Sequence, residues 1–188
     1  GLWYFSRGLP EFGQLASYQP ATLTRVHAGD GRVMAEFATE RRLFVPIEAI
    51  PKRVIRAFLS AEDKNFYSHP GVDIFGIMRA VLNDIRNADR RPQGASTITQ
   101  QVARGFLLNS DLKMARKVRE AILAIRIDAT YPKDKVLELY LNEINLGQNS
   151  YGVGAAALNY FGKSLDELTV PEVAFLAALP KSPSHYDP

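Results

Sequence analysis

The sequence predicts a mainly α-helical domain with a short β appendage at its N-terminus. From Pro51 onward, apolar residues recur at spacings of three and four, which is the period of amphipathic helices. Before that point, the runs 24–26 and 33–37 alternate apolar and polar residues around a Gly-Asp-Gly turn, which indicates a hairpin. The 188 residues, 46% of them hydrophobic, are enough for one domain with a sizeable core.

Local signals then divide the chain into elements. An irregular connector is predicted for RRLFVPIEAIP, and Pro51 opens the helix PKRVIRAFLSAED. Further helices are predicted for DIFGIMRAVLNDIRN, STITQQVARGFLL and LKMARKVREAILAIRIDAT, and the polar loop DRRPQGAS between the first two is expected to be mobile. After a break at Pro132, helices are predicted for KDKVLELYLNEINLG, AAALNYFGKS and LTVPEVAFLAALP. A turn, GQNSYGVG, precedes the second of these, and Thr169 with Glu172 forms a capping box at the last.

Composition and charge limit the possible functions. Residues 79–135 contain 12 Lys and Arg against 6 Asp and Glu, whereas the whole chain has a net charge of +3. A basic middle indicates an anionic partner, such as phosphate, nucleic acid or a membrane surface. The absence of cysteine and the presence of only three scattered histidines argue against thiolate and histidine-rich metal sites. The sequence contains no run of 18 apolar residues that would predict a membrane span. WYFSR at residues 3–7 is typical of the aromatic and basic edge of a span, and the alternative is a hydrophobic terminus that docks on the core.

Two adjacent carboxylates, Glu62 and Asp63, end the helix that starts at Pro51. Glu62 lies four residues after Phe58 and continues its apolar face, so partial desolvation would raise the pKa of Glu62 and make it a better base near neutral pH. The alternative is a buried glutamate paired with an arginine. Asp63 lies just outside that face, where pairing with an arginine or capping of the following turn is favoured over chemistry. His69, before a Pro-Gly turn, is expected to fix that turn by a hydrogen bond.

A second unusual stretch is GASTITQQVARGF. Ser96 or Thr97 can cap the helix that follows, and the free N–H groups of a helix N-terminus suit an anion. Thr97, Thr99, Gln100 and Gln101 exceed what a cap needs and would fit a pocket for a ligand rich in oxygen atoms, such as a sugar. An ordinary cap has a similar sequence, so both interpretations remain open.

The helix LKMARKVREAILAIRID is a third unusual stretch. Its apolar stripe is predicted to be Val118, Ile122 and Ile125. Lys113, Lys117 and Glu120 share a different face, with Arg116 one turn before Glu120. The composition favours an exposed face with an Arg116–Glu120 salt bridge, worth a few tenths of a kcal/mol. The alternative is the wall of a basic cleft that holds a diphosphate, with Glu120 orienting the cations or a metal.

Five stretches, taken together and in this order, resemble the motifs of the glycosyltransferase family 51 peptidoglycan polymerases. They are EDKNFYSHPGVD, GASTITQQVAR, RKVRE, YLNEINLGQNSYGVGAAALNYFGK and LTVPEVAFLAALPKSPSHYDP. The match covers about residues 45–188. The preceding segment resembles the one that leads into the polymerase domain of class A penicillin-binding proteins of the 1A type. The resemblance implies a membrane-proximal linker with a hairpin at 1–46 and a glycosyltransferase domain at 47–188. The resemblance also leads us to expect a membrane helix before Gly1 and a transpeptidase domain after Pro188 in a longer protein.

The resemblance also implies a fold and an activity. The fold would be lysozyme-like and helical, with a smaller membrane-facing lobe. The activity would be polymerisation of lipid II into β-1,4-linked glycan strands, with inversion and with release of undecaprenyl diphosphate, outside the bacterial cytoplasmic membrane. The expected partners are lipid II, the growing lipid-linked chain and the membrane surface, with other cell-wall synthesis proteins as candidates and no nucleic acid. A divalent cation, Mg²⁺ or Mn²⁺, could accompany the diphosphate.

Residue by residue, the resemblance makes Glu62 the general base and Glu120 the second essential glutamate, near the donor diphosphate. The substrate-binding residues that it implies are polar or basic, and they are Asp63, Arg79, Ser96, Thr97, Gln100, Gln101, Arg104, Arg116 and Lys117. Arg104 stands where the family often has lysine, which keeps the charge but not the point-charge geometry. Asn149 stands where glycine is common, and Asp128 replaces a frequent glutamate and receives no role.

Other functions remain open from the residues alone. A lysozyme-like hydrolase could use Glu62 as an acid, but it would need no diphosphate cleft, and the basic helix argues against it. A non-catalytic glycan- or lipid-binding module is the second alternative. A nucleic-acid binder is disfavoured because the basic residues are not interleaved with exposed aromatics. Apolar residues within 74–108 also predict a surface that contacts the membrane, and they are Phe75, Ile77, Met78, Val81, Leu82, Phe106, Leu107 and Leu108.

Overall fold

The described part of the protein is mainly helical, as the sequence predicts. A computed structural model describes residues 24–27, 33–37, 41–79, 96–106 and 113–181. Its helices are α1 (Lys52–Glu62), α2 (Ile98–Phe106), α3 (Lys113–Thr130), α4 (Lys133–Glu143), α5 (Val153–Phe161) and α6 (Val170–Ala178). Residues 74–79 are also helical, and Ile47–Ala49 and Leu179–Lys181 form 3₁₀ turns. Within these ranges, no helix is both long and apolar enough to cross a membrane.

The predicted hairpin is confirmed. Strand β1 (Thr24–His27) pairs in antiparallel fashion with β2 (Val33–Phe37), so that Thr24 lies opposite Phe37. The register shifts between Val26 and His27, as at a β-bulge. The alternation of apolar and polar residues therefore identified the β appendage correctly.

The chain divides into two compact units. In the first, the described residues are 62–79, 96–106 and 113–137, and α2 packs along α3. The core of this unit is formed by apolar side chains of both helices and of the turn after α1, and it includes Phe66, Ile98, Ala103, Leu123 and Ile127. Gly71, at φ +80°, lets that turn approach α3 so closely that an added Cβ would lie 2.5 Å from the carbonyl oxygen of Ala124.

The apolar stripe predicted for α3 is wrong. Val118 and Ile122 are only half-buried, and Ile125 is 48% exposed. The buried face is offset around the helix and consists of Glu120, Leu123, Ala124 and Ile127. These positions have the i, i+3, i+4, i+7 spacing of one helical face, and a glutamate occupies the first of them. The pattern was misleading because a charged residue was assumed to point outwards.

Asp73 stabilises the start of the helical segment 74–79. Its Oδ1 accepts a hydrogen bond from the backbone N–H of Gly76 at 2.8 Å, and its Oδ2 accepts one from Nδ2 of Asn65 at 3.1 Å. The bond from Gly76, followed by the one from Asn65, holds the pKa of Asp73 below its usual range. This segment is therefore capped at its first turn by a carboxylate.

In the second unit, the described residues belong to 24–61 and 138–181. Strand β3 (Arg41–Arg42) pairs in parallel with β4 (Ser150–Tyr151). The side-chain amide of Asn142 fixes the connector after β3, because its Oδ1 accepts the N–H of Val45 at 2.7 Å and its Nδ2 donates to the carbonyl of Val45 at 2.9 Å. Two segments predicted as a connector and a turn therefore each contribute a two-residue strand.

The C-terminal helices follow the predicted pattern. Ala155, Ala156 and Ala157 are buried in α5, as expected of small residues that permit close packing. The capping box of α6 is confirmed, because Oε2 of Glu172 accepts hydrogen bonds from the N–H of Thr169 at 2.6 Å and from its hydroxyl at 2.9 Å. Asn149 has φ 60°, the left-handed conformation that asparagine tolerates.

Some predictions lie outside the described residues. They concern the aromatic segment 3–5, most of the loop DRRPQGAS, and the side chains of Val81, Leu82, Phe106, Leu107 and Leu108. The division between a linker at 1–46 and a domain at 47–188 stays a prediction.

Candidate functional site

Glu62 ends α1 and is half-buried. Its Oε2 accepts a hydrogen bond of 2.9 Å from Nε2 of Gln101. Its Oε1 is shielded from solvent and accepts no hydrogen bond from the described residues. The predicted alternative, a glutamate paired with an arginine, is therefore wrong, since the partner is a neutral amide. A carboxylate that is held by one oxygen and has no donor among the described residues at the other suits a general base.

Glu120 is enclosed by basic side chains. It is 0% exposed, and its Oε1 lies 3.3 Å from Nε of Arg104 and 3.5 Å from Nε of Arg116. Its Oε2 lies 3.0 Å from Nζ of Lys117. The predicted Arg116–Glu120 pair is confirmed, but the exposed helix face predicted around Glu120 is wrong. We call Arg104, Arg116 and Lys117 the basic cluster.

The basic cluster has more positive charge than Glu120 can neutralise. Its side chains are 46%, 38% and 47% exposed, in the order Arg104, Arg116 and Lys117, whereas the carboxylate between them is fully buried. Oγ of Ser96 accepts hydrogen bonds from Nζ of Lys117 at 3.0 Å and from Nη2 of Arg104 at 3.5 Å. Three cations held by one carboxylate and one hydroxyl leave two positive charges uncompensated on the accessible side. That arrangement suits a ligand with two negative charges, such as a diphosphate.

Helix α2 carries contacts to both glutamates. Gln101 binds Glu62 and Arg104 binds Glu120, and these two residues of α2 are three positions apart. Residues at that spacing lie on one face of a helix, about 4.5 Å apart along its axis. The two carboxylates predicted to be catalytic are therefore oriented by neighbouring positions of a single nine-residue helix.

The start of α2 is fixed by side chains that the sequence singled out. Oε1 of Gln100 accepts the N–H of Thr97 at 2.9 Å, and Oγ1 of Thr97 accepts the N–H of Gln100 at 3.1 Å. Thr97 and Gln100 are 3% and 5% exposed. The cap that the sequence allowed is therefore confirmed for this pair. Their role in substrate binding stays a prediction, and their burial favours an indirect contribution.

Asp63 also stabilises this N-terminus. It is 6% exposed, and its Oδ2 accepts the N–H of Ile98 at 3.0 Å. Both of its oxygens lie 3.0 Å from Nε2 of His69. The structural role favoured by the sequence is confirmed for Asp63 and His69, although the partner is a histidine and a helix end instead of an arginine. Substrate binding by Asp63 stays a prediction.

Arg79 is exposed at the end of the helical segment 74–79. The contacts described for the basic cluster do not include it, and its described interaction is the electrostatic one with Asp73. Its role in holding phosphate stays a prediction. Of the residues predicted to form the site, the structure thus brings together Glu62 with Gln101, and Glu120 with Ser96 and the basic cluster.

Comparison with known proteins identifies the family. A family model described as "Transglycosylase" matches residues 30–188. The chain belongs to the transglycosylase family. This confirms the enzyme class that the sequence motifs implied, which is a glycosyltransferase.

The transglycosylase domain is similar to several penicillin-binding proteins 1A. It is 52% identical over 189 residues to that of Rickettsia conorii, which covers 100% of this chain and 24% of the relative. It is 44% identical over 185 residues to that of Escherichia coli K12, covering 98% of this chain and 22% of the relative. The chain thus spans about a quarter of the length of these relatives.

A solved structure gives a weaker likeness. The crystal structure of penicillin-binding protein 1A from Haemophilus influenzae is 29% identical, covers 87% of this chain and 14% of that chain, and has a TM-score of 0.44. The assignment of the transglycosylase domain to the mainly helical class therefore depends on the helices observed in its own structure.

The residues around Glu120 do not fit a resident divalent cation. Both carboxylate oxygens contact basic side chains, which would repel Mg²⁺ or Mn²⁺. Within the described ranges, no group of three or more His, Cys, Asp or Glu side chains is placed to hold a metal ion. The presence of a cation with the diphosphate stays a prediction. The ligands of such a cation would come mainly from the diphosphate itself.

Two residues of the transglycosylase domain that contact the turn after α1 or α2 were given no role by sequence reasoning. Lys133 donates to the carbonyl of His69 and to Asp128, and Asp128 also lies 3.5 Å from the hydroxyl of Thr99. The Lys133–His69 contact joins positions 64 residues apart. No local spacing signals such a contact, and the only available hint was a lysine directly after the helix break at Pro132.

Proposed function

We propose that this transglycosylase domain polymerises lipid II into β-1,4-linked glycan strands at the outer face of the bacterial cytoplasmic membrane. The donor is the growing chain on undecaprenyl diphosphate, and the acceptor is the 4-hydroxyl of the GlcNAc in an incoming lipid II. The observation that carries the proposal is the basic cluster around the buried Glu120, because its excess charge matches a diphosphate leaving group.

In the proposed reaction, Glu62 acts as the general base. Its carboxylate takes the proton of the 4-hydroxyl while the hydroxyl oxygen forms a bond to the anomeric carbon of the donor. The bond from that carbon to the diphosphate oxygen breaks, and the diphosphate leaves with the electron pair. Attack from the opposite face converts an α linkage into a β linkage. The hydrogen bond from Gln101 fixes the orientation of Glu62 during the transfer.

The basic cluster stabilises the charge that develops on the leaving diphosphate. Arginine N–H groups and an ammonium form strong charge-assisted hydrogen bonds with phosphate oxygens. Glu120 contributes by holding three mutually repelling cations in place before the substrate binds. Donors fixed in advance lower the barrier most effectively, because they need no reorganisation during the reaction.

Replacement of the base tests the proposal. Glu62→Gln keeps the size of the side chain and removes its ability to accept a proton, so lipid II polymerisation should fall roughly 10²–10⁴-fold. Glu167→Gln is the matched control, since Glu167 is exposed and hydrogen-bonds Ser164 in the other compact unit. The rate of polymerisation is measured from the glycan products that form from labelled lipid II and are separated on gels. A folded Glu62→Gln variant that retains more than a few per cent of the rate would exclude Glu62 as the base.

A second experiment separates polymerisation from hydrolysis. The protein should bind inorganic diphosphate, and Arg104→Gln or Lys117→Gln should weaken that binding, because each removes one of three cations. Incubation with polymeric peptidoglycan should release no soluble muropeptides. Their release, without diphosphate binding, would favour a lysozyme-like hydrolase.

An exposed apolar face supports the proposed membrane contact. Ile74, Phe75 and Met78 are 63%, 79% and 56% exposed, while Ile77 is half-buried. The first three lie at helical spacing, so they form one face, and the exposed Arg79 follows them directly. Apolar side chains next to a cation are typical of surfaces that lie in the membrane interface. Lipid II presents its sugars near the headgroups, where such a surface would hold the enzyme.

A further inference from the structure

Lys133 opens α4 and has an ammonium enclosed by three groups. Nζ donates to the backbone carbonyl of His69 at 2.6 Å and to Oδ1 of Asp128 at 2.6 Å. It also lies 4.7 Å from the centroid of the Phe66 ring, a cation–π distance. The Lys133 side chain is only 20% exposed. The proposed reaction gives no chemical task to this charge.

A chain of contacts leads from Lys133 to the proposed base. The carbonyl that Lys133 binds belongs to His69, whose ring contacts both carboxylate oxygens of Asp63. Asp63 follows Glu62 directly in sequence and accepts the N–H of Ile98 at the start of α2. Helix α2 then returns to Glu62 through Gln101. Lys133 is therefore separated from Glu62 by two residues that are each held by hydrogen bonds.

His69 and Asp63 belong to the turn that follows α1, and the far end of that turn, at Gly71, is fixed by a separate contact. The hydroxyl of Thr97 donates to the carbonyl of Gly71 at 2.6 Å. Gly71 lies so close to α3 that the backbone of the turn has no room to move towards that helix. Between Asp63 and Gly71, the turn is attached to α4 by the contact of Lys133 with His69 and by a hydrogen bond from the hydroxyl of Tyr67 to Asp134.

The energetics indicate that the charge serves position more than stability. Burying an ammonium and a carboxylate costs desolvation energy that their attraction barely offsets, so an apolar side chain of similar size would often be at least as stable. An ammonium, however, requires its partners at defined positions, whereas apolar packing does not. A charge that joins a carbonyl and a ring of one turn to a carboxylate of α3 specifies one arrangement of that turn.

We propose that Lys133 is a positioning residue for Glu62, acting through His69 and Asp63. The proposal rests on the proposed role of Glu62 as the general base. Lys133→Met removes the charge and all three contacts while keeping an unbranched side chain. Misplacement of a reacting group by about 1 Å can cost roughly 100-fold in rate. We expect kcat for lipid II polymerisation to fall at least tenfold.

Two readouts separate this role from a general loss of structure. The basic cluster makes no described contact with Lys133, so the KM for lipid II and the affinity for inorganic diphosphate should change less than about twofold. Lys133→Arg should recover most of kcat, because the guanidinium keeps a charge, hydrogen-bond donors and a face that stacks on Phe66. Lys64→Met is the matched control and should retain full activity, since it removes a lysine charge at an exposed position of the turn that Lys133 contacts.

The outcomes are decisive in each case. A folded Lys133→Met variant with unchanged kcat, or one that loses diphosphate affinity as strongly as kcat, overturns the proposal. If Lys133→Met does not fold, Asp128→Asn takes its place: it weakens the ion pair at nearly constant shape, and an unchanged kcat would then refute the idea. The proposed function fails separately, through an active Glu62→Gln variant. An inactive Glu62→Gln with a fully active Lys133→Met rejects only the positioning role.

Discussion

Replacement of Gly71 by alanine adds only one methyl group, but it should destabilise the protein strongly. Gly71 has φ +80°, a left-handed conformation that costs an L-residue about 1–2 kcal/mol. Its added Cβ would lie 2.5 Å from the carbonyl oxygen of Ala124 and 2.8 Å from the carbonyl carbon, so the turn or α3 must move. Relief of such overpacking costs roughly 1–3 kcal/mol. The lower entropy of the unfolded alanine chain returns about 0.4–1 kcal/mol.

The net loss expected for Gly71→Ala is therefore about 2–4 kcal/mol, a large part of the roughly 5–15 kcal/mol that stabilises a typical domain. Gly162→Ala is the matched control. Gly162 also has a positive φ, +64°, but its added Cβ would meet nothing within 4 Å. Only the conformational cost applies there, so the control should lose about 1 kcal/mol.

Urea denaturation followed by circular dichroism measures both losses. Because Gly71 lies in the turn that contains Asp63, Gly71→Ala should also slow lipid II polymerisation at temperatures where it remains folded, whereas Gly162→Ala should not. Equal stabilities for the two variants, within about 0.5 kcal/mol, would show that the turn accommodates a Cβ and that its approach to α3 is not tight.

Two further perturbations address the membrane surface and the last helix. Phe75→Ser should weaken binding to anionic liposomes, and added salt should weaken binding of the parent protein because Arg79 contributes; unchanged flotation of a folded variant would place the contact elsewhere. In α6, hydrogen bonds from Lys163 and Thr169 lower the pKa of Glu172 to about 2. A lowered pKa stabilises the folded state above the unfolded value of 4.5, and that stability is lost as pH falls from there towards about 2. Glu172→Gln should therefore lower the urea midpoint at pH 7 but match the parent near pH 2, and a constant difference would contradict this account.

The sequence predicted the helices because their apolar periodicity is local information. It failed where position depends on distant partners. Residues Arg41–Arg42 and Ser150–Tyr151 pair in parallel across more than a hundred positions, and two-residue strands have no periodicity to detect. On α3, the charged Glu120 was assigned to the surface, and the predicted apolar stripe was rotated away from the true core face. That carboxylate is enclosed by two local partners, Arg116 and Lys117, and by Arg104 of α2, and no local pattern reveals the last of these.

The adjacency of Glu62 and Asp63 has a physical reason in this fold. Both carboxylates attach to the same short helix, Asp63 to the N–H of Ile98 and Glu62 to the side chain of Gln101 three residues later. Those two points on α2 are about 4.5 Å apart along its axis, close to the span of neighbouring residues in the chain. One acid thus holds the helix end and the other is held by the helix, so a shift of either moves both. A base that must meet a sugar hydroxyl at hydrogen-bond distance benefits from this double attachment, because the helix that orients Glu62 is itself fixed by the next residue of the chain.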